Sequence, residues 1–163
     1  MSASDVTSLS RGPDHSFFAW RNVHVLVIGT DITPSLVETA YDCGREFELR
    51  FPGPHGVLID YHGSLRVPPF AVRAVVAEVA RKAVGHEVVA RAVVIRGSGL
   101  LGNALRSFVT AAAGIGRRYP QRFCVDVPSA TEFLGNEMGG LEPRQALTAR
   151  IEAEQRRLGL RIE

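Results

Sequence analysis

The chain has 163 residues with 19 basic and 17 acidic side chains, a net charge of +2, and a composition that is 45% hydrophobic and 22% charged. Charges of both signs are intermixed, which argues against the basic stripe of a nucleic-acid binder, and no apolar run of membrane-spanning length is present. A single domain of this size buries roughly 70% of the surface its unfolded chain exposes, so neither disulfides nor a metal is needed to hold it together.

Residues 1–14 are small and polar and close on Gly12-Pro13, which predicts a disordered tail. The same stretch lacks the apolar core of a secretory signal. "FFAWRN" and "VHVLVIG" then read as two strands, at 16–21 and 23–29, with Arg21-Asn22 as the hairpin turn. Thr33-Pro34 marks a helix start, with Thr at the N-cap and Pro at the first helical position. Leu36, Val37, Ala40, Tyr41, Gly44 and Phe47 follow at helical spacing.

After "PGPHG" breaks the chain, "VLIDYH" reads as a short buried strand. "PPFAVRAVVAEVARKAVG" reads as a second helix, with Phe70, Val72, Val75, Val76, Val79, Ala80 and Ala83 on its apolar side. "VVARAVVIRG" is the next strand and "LLGNALRSFVTAAAGIG" the third helix. "RFCVDV" is a closing strand, and "PSATEFLGNEM" a short helix with Pro128 near its start. Beyond Gly139-Gly140, "EPRQALTARIEAEQRRLGL" predicts a last helix. Strands alternate with helices after the opening hairpin, which predicts a mostly parallel sheet with crossover helices.

Between the fourth predicted strand and the third helix, Gly97, Gly99 and Gly102 have the G-x-G-x-x-G spacing of a dinucleotide loop. An acidic residue about 20 places on would hold a ribose, and Asp126 stands near that position. Too little chain follows to build the second half of a nucleotide crevice. The glycines are therefore expected to let a strand turn into a helix, and no cofactor is expected. Cys43 and Cys124 are isolated and fit a reducing compartment. The five histidines, at 15, 24, 55, 62 and 86, show no ligand spacing, so no metal is expected. The expected location is the cytoplasm.

In open α/β sheets the strand C-terminal ends converge on the ligand crevice. Here those ends supply Thr30, Asp31, Asp60, His62, Ser64, Arg96, Ser98 and Asp126. A Ser98–His62–Asp126 triad can be drawn from them, but Ser98 is not in a G-x-S-x-G elbow, and capping or turn roles account for the same residues.

The opening hairpin ending at Gly29, "HGVLIDYHGSLRVPPF", "ARAVVIRGSGLLGNALRSF" and "QRFCVDVPSATEFL" together resemble the STAS superfamily, and more closely its SpoIIAA-like branch, over residues 16 to 135. The resemblance implies a sheet of four to five mostly parallel strands with helices mainly on one face. It implies a domain at 15–140, to which 141–163 would be an added helix. Asp60 matches the family's strand aspartate. The family's phosphorylated Ser or Thr opens the following helix, and Pro68-Pro69 occupy that place here. The phospho-switch is therefore not carried over.

The expected function is a non-enzymatic regulatory module that binds another protein through loop 62–69 with the start of the following helix, plus the neighbouring loop 96–102. Asp60, His62, Ser64, Arg66, Pro68, Pro69, Arg96 and Ser98 are the candidate binding residues, with no catalytic residue expected. The two prolines stiffen the loop and lower the entropy lost on binding. The alternative is a small-molecule binder or enzyme, taking a nucleotide or small anion in the crevice near Asp60, His62, Arg96 and Ser98. In the last helix Leu147, Ile151 and Leu158 form a narrow stripe interrupted by Glu154 and flanked by arginines. It is expected to dock on the domain, with a weak tendency to pair with a second copy.

Overall fold

A computed structural model of the chain describes residues 6–82, 87–97, 99–113, 119–140 and 144–161. Its strands are β1 (Val6–Arg11), β2 (His15–Trp20), β3 (Val23–Ile28), β4 (His55–Tyr61), β5 (Val88–Ile95) and β6 (Gln121–Cys124). Its helices are α1 (Pro34–Arg50), α2 (Phe70–Lys82), α3 (Leu100–Ala113), α4 (Val127–Glu137) and α5 (Arg144–Arg157). The fold is α/β, with one six-stranded sheet in the order β1-β2-β3-β4-β5-β6. The first three strands form an antiparallel meander. From β3 onward every pair is parallel.

Two local signals act as the sequence suggested. Arg21-Asn22 closes a two-residue hairpin between Trp20 and Val23, with Arg21 at φ 50°. Thr33 caps α1, its hydroxyl accepting from the Leu36 N–H at 3.2 Å, and Pro34 takes the first turn.

Three expectations are corrected. The sheet has six strands rather than four or five, because part of the segment read as a tail is β1. That strand holds only Val6 and Leu9 as large apolar residues, and it bulges between Ser8 and Ser10. It is an edge strand, where polar residues and bulges suppress further pairing, so it lacks the alternation that reveals a buried strand. The helices, secondly, divide between both faces. Strand order advances in one direction from β3 to β6, so crossovers of one hand put α1, α2 and α3 on one side, while α4 and α5, which follow the last strand, cover the other. Thirdly, Phe70 does not lie on the buried side of α2; only Val72 and Ala80 of that helix are fully buried.

Alternation along the strands builds two cores. Val23, Val25 and Val27 of β3, Leu58 of β4 and Ala90, Ala92 and Val94 of β5 pack with Leu134 of α4 and Leu147 and Ile151 of α5. Leu26, Ile28, Val57, Val93 and Ile95 point the other way, onto Leu36 and Cys43 of α1 and Leu105 of α3. Helix α2 packs against α1 and α3. The close seat of α4 explains Gly56: a Cβ there would stand 2.5 Å from the Met138 sulfur and 3.4 Å from a Leu134 methyl.

The last helix belongs to the first core and is no appendage to it. Leu147 and Ile151 are completely buried, and Leu158 packs at the margin. The stripe packs within the chain's own domain, as the docking expectation had it. Glu154 does not interrupt that packing. It is buried, accepting from Arg11 (2.5 Å) and Arg150 (2.6 Å) at one oxygen and from Ser16 (2.9 Å) and Arg157 (2.8 Å) at the other. Arg157 also donates to the Gly12 and His15 carbonyls. Burial pushes the Glu154 carboxyl up, but the hydrogen bonds from Arg157, Ser16 and Arg11 outweigh it and hold it below its ordinary value.

At the other end of the sheet His24 of β3 is buried and stacks on Phe47, with His55 on β4 and Arg91 on β5. Its Nε2 has no hydrogen-bond partner among the described residues. Burial first, then His55 and Arg91, lower its pKa from 6.5 to about 3. The unfolded chain takes up this proton near the higher value, and the folded chain only near the lower. Stability contributed by neutral His24 is full above pH 6.5 and drains away as pH falls toward 3. Unfolding free energies from urea titrations between pH 7 and 4.5, above most carboxylate titration, should fall with a slope approaching about 1.4 kcal/mol per pH unit. His24→Phe should flatten most of that slope; an undiminished slope in the variant would assign it to another group.

Candidate functional site

The parallel strands end together where α1, α2, α3 and α4 begin, so the loop residues 29–33, 62–69, 96–97 and 125–126 share one end of the sheet. Strand parity sorts the candidate residues there. Along β4, Val57, Ile59 and Tyr61 face α1 and α3, whereas Leu58 and Asp60 face α4 and α5. Arg96 continues the Ala92–Val94 face of β5. Asp60, His62 and Arg96 therefore meet on one side, under α5.

Asp60 is fully buried. One oxygen accepts from Arg96 Nη1 at 2.7 Å; the other pairs with His62 Nε2 at 2.9 Å and accepts from Gln155 Nε2 at 2.8 Å. Arg96 Nη1 is also 3.0 Å from His62 Nε2. A guanidinium only donates and a carboxylate only accepts, so a protonated Nε2 donates to Asp60 and a bare Nε2 accepts from Arg96, according to the tautomer. Burial raises the Asp60 pKa, but the His62 hydrogen bond and charge, with Arg96 and Gln155, overcome it and hold the carboxyl below its ordinary value. Both oxygens of Asp60 are committed inside the protein. The cluster thus ties β4 and β5 to α5, and it presents no spare acidic oxygen to a substrate.

Loop 62–69 is pinned by a second set of contacts. The Ser64 N–H donates to Asp31 at 2.5 Å, and the Tyr61 hydroxyl donates to the Ser64 carbonyl at 2.9 Å. The Asp31 carboxyl is lowered, first by the Ser64 backbone hydrogen bond. The Tyr61 phenol rises to about 12, first through burial and then through Asp31. Pro68 is buried, while Pro69, Arg66 and Ser64 are exposed.

The glycine loop is packed from within. Gly97 and Gly99 have φ of 109° and 93°, a region that side chains rarely enter. A Cβ on Gly97 would meet Leu65 of loop 62–69 at 2.6 Å. Arg106 reaches back from α3 and donates to the Gly97 carbonyl at 2.7 Å. The glycines thus serve the turn and the approach of two loops.

The triad drawn from the sequence is not assembled as drawn. His62 pairs with Asp60, and Asp126 caps α4 by accepting from the Ser129 N–H at 2.7 Å, which lowers its carboxyl. Ser98 lies outside the described residues. No group of three or more His, Cys, Asp or Glu side chains able to hold a metal occurs among the described residues. No helix among them is long and apolar enough to cross a membrane.

What the candidate residues do not show is the apolar rim around them. The exposed large hydrophobics among the described residues are Leu49 (82%), Val67 (43%), Phe70 (77%), Leu100 (89%), Leu101 (59%) and Val125 (69%). Leu49 lies near the far end of α1. The other five stand at the starts of α2, α3 and α4 or in the loops before them, at the same end of the sheet. In the sequence Phe70, Leu100 and Leu101 are indistinguishable from core helix residues; only their position in the first turn, beyond the sheet's edge, exposes them.

No family model, curated protein or solved structure matches the chain.

Proposed function

We propose that the chain is a non-enzymatic, regulatory protein-binding module of the STAS or SpoIIAA-like type, and that the end of the sheet bearing loops 62–69 and 96–102 is its binding face. The observation that carries the reading is the clustering of exposed apolar side chains, with Phe70 and Leu100 foremost, around that end. Apolar groups held out of the core and grouped on one face are a usual mark of an interaction site. The pinned loop adds to this, because a surface ordered before binding loses less entropy on binding. Pro68-Pro69 stand where the resembling family carries its phosphoacceptor, so regulation here does not run through that residue. The enzymatic alternative draws less support, because Asp60, its central acid, is committed to Arg96, His62 and Gln155.

The test is comparative cross-linking capture in the native cell extract, using three folded proteins. The unmodified chain and Leu49→Asp, altered at the opposite end, should capture the same proteins. The double variant Phe70→Asp, Leu100→Asp should lose them. A captured set that survives the double substitution would remove this face from the function.

A further inference from the structure

The turn between β1 and β2 assembles a second set of groups, on residues that the binding face does not use. Ser10 Oγ lies 2.9 Å from His15 Nε2, and His15 Nδ1 lies 2.8 Å from an Asp14 carboxylate oxygen. A carboxylate only accepts, so Asp14 holds the ring proton on Nδ1. The neutral imidazole then presents a bare Nε2, and the Ser10 hydroxyl donates to it. The three side chains stand as a nucleophile, its general base and the acid that orients the base.

The fold builds this arrangement. Leu9 is the extra residue of the β1 bulge, so Ser8 stands opposite Phe18 and Ser10 opposite Phe17. Without the bulge Ser10 would stand opposite Ser16, whose hydroxyl reaches Glu154 on the α5 side, because a slip of one residue changes the face. The bulge thus re-aims Ser10 to the side where the His15 ring lies 4.7 Å from the Phe17 ring. A Cβ on Gly12 would stand 2.5 Å from His15 Cε1 and 2.8 Å from its Nδ1, so the seat of the ring needs that glycine. The Asp14 carbonyl accepts from the Gly29 N–H at 2.8 Å, and the His15 carbonyl from the Gly12 N–H at 3.0 Å and from Arg157. Ser10 itself keeps partial exposure.

We infer that Ser10 is a covalent modification site, which takes an acyl group from an activated donor, a thioester or an aryl ester. Its Oγ attacks the acyl carbonyl carbon and forms the new ester bond, while the hydroxyl proton passes to His15 Nε2. The bond from that carbon to the sulfur or oxygen of the donor breaks, and the thiol or phenol leaves with the proton from His15. General-base assistance contributes about 10²–10⁴-fold, which suits a donor that already carries a good leaving group and falls short for an amide. A phosphoryl group asks instead for a clamp of positive charge, and Arg11, the neighbouring cation on β1, turns to the other face to reach Glu154. The site goes beyond the binding reading and does not depend on it.

The experiment incubates the full chain with p-nitrophenyl acetate and follows acetylation of each serine by peptide mass mapping. Ser10 should react at least about a hundredfold faster than Ser8, which is exposed on the same strand, and denaturing urea should abolish that preference. Nitrogen NMR of the unmodified chain should place the His15 ring proton on Nδ1. These three readings need no variant. His15→Gln should then slow Ser10 by at least about a hundredfold. Asp14→Asn should slow it by at least about tenfold and move ring proton from Nδ1 to Nε2, with the circular dichroism unchanged. Equal labelling of Ser10 and Ser8, no labelling of Ser10, a preference that persists in urea, or a His15 proton on Nε2 in the unmodified chain would each overturn the inference. So would a Ser10 rate left unchanged by His15→Gln; a rate left unchanged by Asp14→Asn would remove Asp14 as the positioning residue.

Discussion

A chain ending at Gly140 is expected to lose cooperative unfolding altogether. Leu147 and Ile151 are completely buried in the core that α5 shares with β3, β4 and β5. Each such side chain contributes about 1.5–3 kcal/mol of burial. Their loss also uncovers the apolar faces of Val23, Val25 and Val27 that α5 helps to cover. Two polar clusters fail in the same step. Arg11 and Ser16 lose the Glu154 carboxylate, and Asp60 loses Gln155. Against a total stability of about 5–15 kcal/mol for an ordinary domain, these losses are a large fraction of the whole. Urea titration followed by circular dichroism should show a broad, non-cooperative decay, with dye binding to exposed apolar surface before any denaturant is added. A sharp transition at the midpoint of the full chain would mean that α5 is not part of the core.

The second large effect is expected at Asp60. Replacing it with Ala leaves the Arg96 guanidinium without its counter-charge, and the Nε of that same group already lacks a partner among the described residues. The Gln155 amide, on a residue 1% exposed, loses its acceptor as well. Removing one partner of a buried pair typically costs about 3–5 kcal/mol, because the other charge stays behind uncompensated. With Arg96 itself partly exposed, the lower part of that range is expected. At about 1–3 kcal/mol per molar urea, the midpoint should fall by at least about 1 M. Asp60→Asn should recover only part of the loss, because half of its head group is a donor placed among donors. A midpoint unchanged in Asp60→Ala would show the cluster to be solvated and dispensable.

The same two sites mark how far the sequence could be read. The opening hairpin and the parallel unit were legible, because Arg21-Asn22, Thr33-Pro34 and the valine-rich runs each carry their own local physics. Asp60 was legible as a polar residue at a strand end. Its parity with Leu58 could have assigned it to the α4 and α5 side, but Gln155, its partner, is 95 residues away, and no spacing rule connects them. Glu154 read as a flaw in an apolar stripe because its partners, Arg11 and Ser16, lie on the first two strands. Edge strand β1 read as a tail because an edge asks for polar residues and bulges, which also describe a loop. Phe70 read as core because periodicity reports a helix face and cannot report where the sheet beneath it stops.

The clasp at Glu154 changes what local opening means in this domain. An edge strand and an outer helix are ordinarily separate weak points, each able to exchange its amide hydrogens by small excursions from the native state. Here β1 and α5 share one buried carboxylate, and Arg157 further ties α5 to the turn between β1 and β2 through the Gly12 and His15 carbonyls. If β1 opens alone, Glu154 loses Arg11 and Arg157 loses Gly12. If α5 opens alone, Arg11 and Ser16 lose their acceptor. Either excursion breaks charged hydrogen bonds that the other element still needs. The edge strand and the helix are therefore expected to open together as one foldon, with amide protection in β1 close to that of α5.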